Sequence, residues 1–173
     1  MNLSGYLLLL YVLSWSGFAA AQQPASLKCT SAVPAMVAQT VQCEGGITIV
    51  AENGAQYTLS DNNRDGRVDA VELSSKALLV EATRRSGGKR FQVNTPQAIA
   101  AVRGTRWAVD VAEGKTSVFV VNGSVRVGGR ARDGRGRVVL GPGEGVDVEA
   151  TAPLLVKRWG QARVSALMAR LGQ

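Results

Sequence analysis

The feature that most constrains the fold is a series of short apolar runs between residues 91 and 148, each closed by glycine, proline or an Asn-Gly pair. Runs of this length that end in turn-forming residues are typical of successive antiparallel strands. In one of them, Trp107 and Val109 alternate with smaller or polar residues, which predicts one buried face. We therefore predict an all-β core. The four runs lie at residues 91–96, 102–109, 118–127 and 139–148.

Two β-hairpins are predicted from Asn-Gly pairs, which supply the positive φ angles that tight hairpin turns need. The first joins the apolar runs at residues 47–50 and 56–59. The second joins the run that ends at Val121 to the run that begins at Val125. Residues 115–121 end in four consecutive apolar residues, Val118 to Val121, which predicts a central strand covered on both faces.

The C-terminal segment changes from strand-like to helical periodicity after Pro153. Its apolar residues predict an amphipathic helix that caps the β core at an open end of the sheet, or, because of its arginines, lies on a membrane surface. These residues are Trp159, Val164, Leu167, Met168 and Leu171.

The N-terminus has the character of an export signal. Residues 3–21 are mostly apolar, the first charged residue is Lys28, and Ala19 and Ala21 fit a cleavage site that leaves Gln22 first. An uncleaved anchor is the alternative, since the apolar run is about long enough to cross a bilayer. We expect a periplasmic or secreted protein, with membrane contact only if the segment is retained.

The predicted organisation has four parts. A signal peptide (1–21) precedes a disulfide-tied arm (22–46), a β domain (47–152) and a C-terminal helix (153–173). Cys29 and Cys43 are the two cysteines of the chain, and in an oxidising compartment we expect them to be bonded to each other.

An enzyme is not expected, because the chain has no histidine and so lacks the commonest general base and metal ligand. A hydrolase would depend on carboxylates such as Asp110, or Asp147 with Glu149. Adjacent carboxylates on a strand are usually solvated charge, and no cleft signature accompanies these.

Four elements in order resemble the pattern of FecR-type domains, over about half of the chain: Thr95-Pro96, then Arg103-Gly104-Thr105 before an aromatic residue, Val-x-x-Gly-x-Val-x-Val from Val120, and Leu-x-x-Gly-Glu from Leu140. The resemblance implies an antiparallel β-sandwich or short β-solenoid of FecR type with the C-terminal helix as a cap. It also implies a non-enzymatic periplasmic module that senses, binds a ligand or acts as a scaffold in envelope signalling.

In the regulators that give the family its name, a separate cytoplasmic segment acts on a sigma factor. No such segment precedes the apolar run here, so we expect a stand-alone partner in signalling rather than direct sigma-factor control.

Residues 61–72 fit the calcium-loop pattern D-x-[DN]-x-[DN]-G-x₅-E at every fixed position. The alternative is a polar hairpin loop, because the flanking residues are typical of strands rather than of EF-hand helices. Calcium is the one cofactor that the sequence suggests. Its candidate ligands are the side chains of Asp61, Asn63, Asp65, Asp69 and Glu72 and the carbonyl of Arg67.

The formal charge of +7 favours acidic partners, either an envelope protein or an anionic polymer such as lipopolysaccharide or cell-wall material. Nucleic acid is not expected after export. The basic hairpin tip at residues 126–137 could bind an acidic partner, or its charge could be solvated and only aid solubility. Gly104 and Thr105 could contact a ligand, or they could form a turn and bond to the backbone. The candidate ligand-binding residues are Arg103, Thr105, Arg130, Arg132, Arg135 and Arg137.

Overall fold

The computed structural model describes residues 27–32, 36–83, 90–102, 104–130 and 136–173. Strands dominate these residues, as predicted, and one helix follows them. The strands are β1 (Cys29–Ser31), β2 (Ala38–Cys43), β3 (Ile47–Glu52), β4 (Gln56–Ser60), β5 (Ala70–Ala82), β6 (Phe91–Asn94), β7 (Ala98–Val102), β8 (Thr105–Ala112), β9 (Lys115–Asn122), β10 (Val125–Gly129), β11 (Arg137–Leu140), β12 (Glu144–Val148) and β13 (Lys157–Arg158), and the helix is α1 (Gln161–Arg170).

The long strand β5 belongs to two sheets. Its C-terminal half pairs with β3 and β8, within a first sheet of order β1-β2-β3-β5-β8-β9-β12-β13. Its N-terminal half pairs with β4 and β6, within a second sheet of order β4-β5-β6-β7-β10-β11. Lys76, at the change between the halves, has a φ of +64°. Every pairing is antiparallel except that of β5 with β6. Because both sheets share β5, the strands form one continuous sheet that curls around the core. Its two parts are mostly antiparallel, as in a β-sandwich.

The core lies between the inner faces of the two sheets. Ile49, Leu78 and Trp107 of the first sheet are fully buried in one cluster with Leu73 and Val93 of the second. Burial of each aliphatic side chain of this size contributes about 1.5–3 kcal/mol. The predicted buried face of β8 forms, but Ala108 on its other face is buried as well, because α1 covers it. The two-sided burial predicted for β9 is confirmed.

Helix α1 lies on the outer face of the first sheet. Leu167 and Leu171 are buried against Leu79, Ala108 and Phe119. The helix was expected to cap an open sheet end; it covers a sheet face instead, because β5, β8 and β9 also carry apolar side chains on their outer side. No helix in the described ranges is long and apolar enough to cross a membrane.

Both predicted hairpins are wrong in their pairing. Strand β3 pairs with β2 and β5, while β4 pairs with β5 in the second sheet. Likewise β9 pairs with β8 and β12, while β10 pairs with β7 and β11. The Asn-Gly turns form where predicted, with Gly54 at φ +75° and Gly123 at φ +89°, but each carries the chain from one sheet to the other.

The β structure also begins earlier than the sequence predicts. Strands β1 and β2 lie within the segment 22–46 that was expected to form an arm, and they extend the first sheet. Cys29 and Cys43 face each other in the β1–β2 register and form the predicted disulfide. The predicted signal peptide lies outside the described residues.

Candidate functional site

The Thr-Pro turn between β6 and β7 ties the two sheets together. Thr95 is 2% exposed, and its hydroxyl accepts a hydrogen bond from the Ala98 N–H. The same hydroxyl lies 2.7 Å from the hydroxyl of Thr116, which belongs to β9 in the first sheet. Thr116 donates in turn to the side-chain carbonyl of Gln97. A buried polar network of this kind fixes the turn because each member has a partner.

A cleft of about 600 Å³ opens beside this turn, between it and strands β4 and β5. Arg130 crosses the cleft, donating to the Thr95 carbonyl at 3.0 Å and lying 3.5 Å from the Glu72 carboxylate. Asn94 donates to the other oxygen of Glu72. The lining residues are Ala55, Gln56, Tyr57, Thr58, Glu72, Leu73, Ser74, Thr95, Pro96 and Arg130.

The chemistry of the cleft is that of polar recognition. Partial burial raises the pKa of Tyr57 above its ordinary value, and its hydroxyl, which is protonated at neutral pH in either case, can donate a hydrogen bond. Arg130 and Glu72 offer opposite charges that already satisfy each other. Two of these residues were named from the sequence for other roles, Glu72 as a calcium ligand and Arg130 as a residue of the basic tip. The Thr95-Pro96 pair was the only sequence motif that pointed to the cleft.

The Gly104-Thr105 pair has a structural role. Gly104 has a φ of +70°, and the Thr105 hydroxyl donates to the Ser124 carbonyl and accepts from the Ser124 N–H. The turn that precedes β8 is thereby fixed to the turn that precedes β10. These contacts are those of the backbone-bonding alternative, and ligand binding by Thr105 stays a prediction. Arg103 lies outside the described residues.

The predicted calcium loop is a compact turn between β4 and β5. The Asp61 carboxylate accepts backbone N–H groups of Asn63, Asp65 and Gly66 at 3.2, 3.2 and 2.7 Å. The Asp65 carboxylate accepts the Arg67 N–H, and the Asp69 N–H donates to Ser60. The side chains of Asp61, Asn63 and Asp65 therefore lie close together in this loop.

Glu72, the expected bidentate ligand, lies on β5 and is engaged by Asn94 and Arg130. Within the part of the chain that the structure describes, no three acidic or cysteine side chains gather in a group that could hold a metal ion. Calcium binding stays a prediction.

The basic tip is a β10–β11 hairpin, as its sequence suggested. Arg130 pairs with Glu72 and donates to the Thr95 carbonyl. Arg137 lies on β11 and passes close to Gly128: its Cγ would be 3.2 Å from a Cβ at that position. Arg132 and Arg135 lie outside the described residues. The two described arginines among the tip's candidate ligand-binding residues therefore differ in their surroundings.

Two arginines of α1 pair with two of the three carboxylates that a hydrolase would use, Asp147 and Asp110. Arg163 pairs with Asp147 and its guanidinium lies 3.5 Å from the centre of the Trp159 ring. Partial burial raises the pKa of Asp147, but hydrogen bonds from Arg163 and Ser117 outweigh it and hold the pKa below its usual range. Arg170 pairs with both Asp110 and Glu52, and these two carboxylates raise its own pKa.

The sequence model of the family described as FecR protein matches residues 34–126. The match runs from before β2 to within β10, and so contains both halves of β5 and the Thr-Pro turn. No curated protein matches the sequence.

Two crystal structures from Parabacteroides distasonis ATCC 8503, each of a proposed anti-sigma factor, are similar in fold. One shares 22% identity at a TM-score of 0.59 and covers 81% of this chain. The other shares 19% identity at a TM-score of 0.50 and covers 83%. This chain spans 64% and 63% of the lengths of those two proteins.

Proposed function

The chain belongs to the FecR protein family, and from this we propose that it is a non-enzymatic binding module of cell-envelope signalling. The observation that carries the proposal is the family match itself, because residues 34–126 include the strand shared by the two sheets and the network around Thr95. The two similar structures, both of proposed anti-sigma factors, support a regulatory role.

A binding role is supported by the state of the acidic side chains. Asp110 and Asp147 are each paired with an arginine of α1, and Glu72 is paired with Arg130. A general base needs a carboxylate that is free to take a proton from a substrate. These carboxylates are instead held in ion pairs within the fold.

An exported location is part of the proposal. The Cys29–Cys43 disulfide supports it, because structural disulfides persist in oxidising compartments such as the periplasm. In this location the module would sense, bind or hold an envelope protein partner.

Deletion of the gene in its native host, followed by transcript profiling, tests the proposal. A signalling module should alter a small and coherent set of transcripts, and the wild-type gene should restore them. An unchanged transcript profile would contradict it, and a newly accumulated metabolite would then point to a lost enzyme.

Binding of an anionic envelope polymer is the second candidate function. It is favoured by the net charge of +7 and by the exposed side chain of Arg137 on the basic hairpin. Replacement of Arg130, Arg132, Arg135 and Arg137 with Ser should then remove a salt-sensitive affinity for lipopolysaccharide, since exposed charges are screened over about 8 Å at physiological ionic strength. Unchanged binding by this variant would exclude the hairpin as the polymer site.

A further inference from the structure

The outer face of the second sheet carries a shallow groove of about 260 Å³, which we call the outer groove. Strand register places Ala101 beside Arg126, and Ile99 beside Gly128, which is in turn beside Arg137. Ala101 and Gly128 form the floor of the groove, because they are smaller than the residues around them. Arg90, Arg126 and Arg137 stand around it.

Apolar side chains are exposed on this face. Ile99 is 40% exposed, and Val139, the register partner of Arg126 on β11, is 58% exposed. The outer face of the first sheet differs, because α1 covers Leu79, Ala108 and Phe119 there. Ile99 lines the outer groove, and Val139 lies on the same face, on the far side of β10. Their apolar surface adds to the charge of the groove, because contiguous apolar surface rimmed by polar residues marks interaction sites.

The charge of the outer groove is positive. Its described lining contains three arginines and no aspartate or glutamate. The arginines of α1 are occupied by carboxylates of the first sheet, whereas no ion pair to Arg90, Arg126 or Arg137 occurs among the described residues. A carboxylate from outside the chain would therefore meet a positive field in which no described carboxylate competes.

We propose that the outer groove docks an extended, acidic segment of a protein partner, with carboxylates at Arg126 and Arg137 and apolar side chains against Ile99 and Val139. The proposal rests on the proposed function and names the surface through which it would act. Apolar contacts favour a polypeptide over a polysaccharide, because only the polypeptide can cover Ile99 and Val139 as well as neutralise the arginines.

Two soluble peptides test the chemistry on the full exported chain by fluorescence anisotropy. One contains equal numbers of Glu and Leu, and the other contains the same number of Glu with Ser in place of Leu. We expect the Glu-Leu peptide to bind about tenfold more tightly than the Glu-Ser peptide, a difference of about 1.4 kcal/mol.

Paired variants test the position. Arg126→Ser with Arg137→Ser, and separately Ile99→Ser with Val139→Ser, should each weaken the Glu-Leu peptide about tenfold. Lys157→Ser with Arg158→Ser, which removes the same charge from the exposed strand β13, should leave binding unchanged. Melting curves that match the parent exclude misfolding of the variants.

Equal binding of both peptides and of lipopolysaccharide, with no effect of the Ile99 and Val139 changes, would overturn the proposal in favour of a polyanion surface. Absence of binding by the Glu-Leu peptide would overturn it as well. The proposed function fails separately, since a gene deletion that changes no transcripts contradicts signalling whatever the groove binds.

Discussion

The hydroxyl oxygens of Thr95 and Thr116 lie 2.7 Å apart in the buried junction between the two sheets. Thr95 follows β6 of the second sheet, and Thr116 lies in β9 of the first. The threonine of the Thr-Pro element therefore acts as a polar tie in the fold. It also forms one wall of the cleft that Arg130 crosses.

Thr95→Val should lower the free energy of unfolding by about 2 kcal/mol, because it leaves the buried Ala98 N–H without its acceptor and removes a partner of Thr116. Chemical denaturation measures the change. Thr30→Val on the exposed face of β1 is the matched control and should stay within about 0.5 kcal/mol of the parent. Equal effects of the two changes would contradict a structural tie at Thr95.

Gly123→Ala should be more destabilising than Gly114→Ala, although both residues have positive φ angles of +89° and +74°. A Cβ on Gly123 would lie 2.7 Å from the Gly104 carbonyl oxygen, whereas nothing lies within 4 Å of a Cβ on Gly114. We expect about 1–2 kcal/mol for Gly114→Ala from backbone strain. Gly123→Ala should add roughly 1–3 kcal/mol from crowding. Denaturation midpoints with equal shifts would show that the close approach does not exist in solution.

The Arg163–Asp147 pair should make stability depend on pH in the acid range. The folded-state pKa of Asp147 is lowered, so its contribution is full above the unfolded value of about 3.9 and is lost as pH falls through the folded value. Both side chains are more than a third exposed, so we expect a contribution of about 0.5–1 kcal/mol.

Asp147→Asn should therefore reduce stability at neutral pH and differ little from the parent at low pH. Glu113→Gln, at an exposed turn, is the control. A difference between Asp147→Asn and the parent that persists unchanged at low pH would indicate that shape rather than charge matters at this position.

From residue 47 onward, local patterns predicted several strands and the helix, but they predicted neither β1 and β2 nor which strands pair. The buried face around Trp107 and the apolar run before Val121 are properties of single strands, and both are found. The burial of Ala108 on the other face of β8 depends on α1 and was not predicted. Strand β4 pairs with the part of β5 that precedes Lys76, the residue of positive φ where β5 passes from one sheet to the other. That change has no local signal beyond the length of the strand.

The site was less predictable than the fold. Side chains of the outer groove come from β6, β7, β10 and β11, and only strand register brings Ile99 beside Gly128 and Arg137. The basic tip was visible in the sequence as an arginine cluster. The ion pair between Arg130 and Glu72 could not be predicted from the sequence, because the two residues are far apart in the chain.

Calcium binding at residues 61–72 can be tested by melting the protein with calcium, with magnesium and with a chelator. If the loop takes calcium, the ion should raise the melting temperature, because a ligand bound by the native state alone stabilises it. Glu72→Gln should abolish the rise, although it also loosens Arg130. The calcium-dependent difference is therefore the quantity to compare. Identical melting curves in calcium and chelator would leave the residues as a turn.

The most direct test of a role in envelope signalling is complementation of a deletion strain with two forms of the gene. One form encodes the whole chain, and the other lacks residues 2–21, the predicted export signal. We predict that the whole chain restores the transcript profile, that the recovered protein begins at Gln22, and that the truncated form restores nothing. Full restoration by the truncated form, retained in the cytoplasm, would contradict the account.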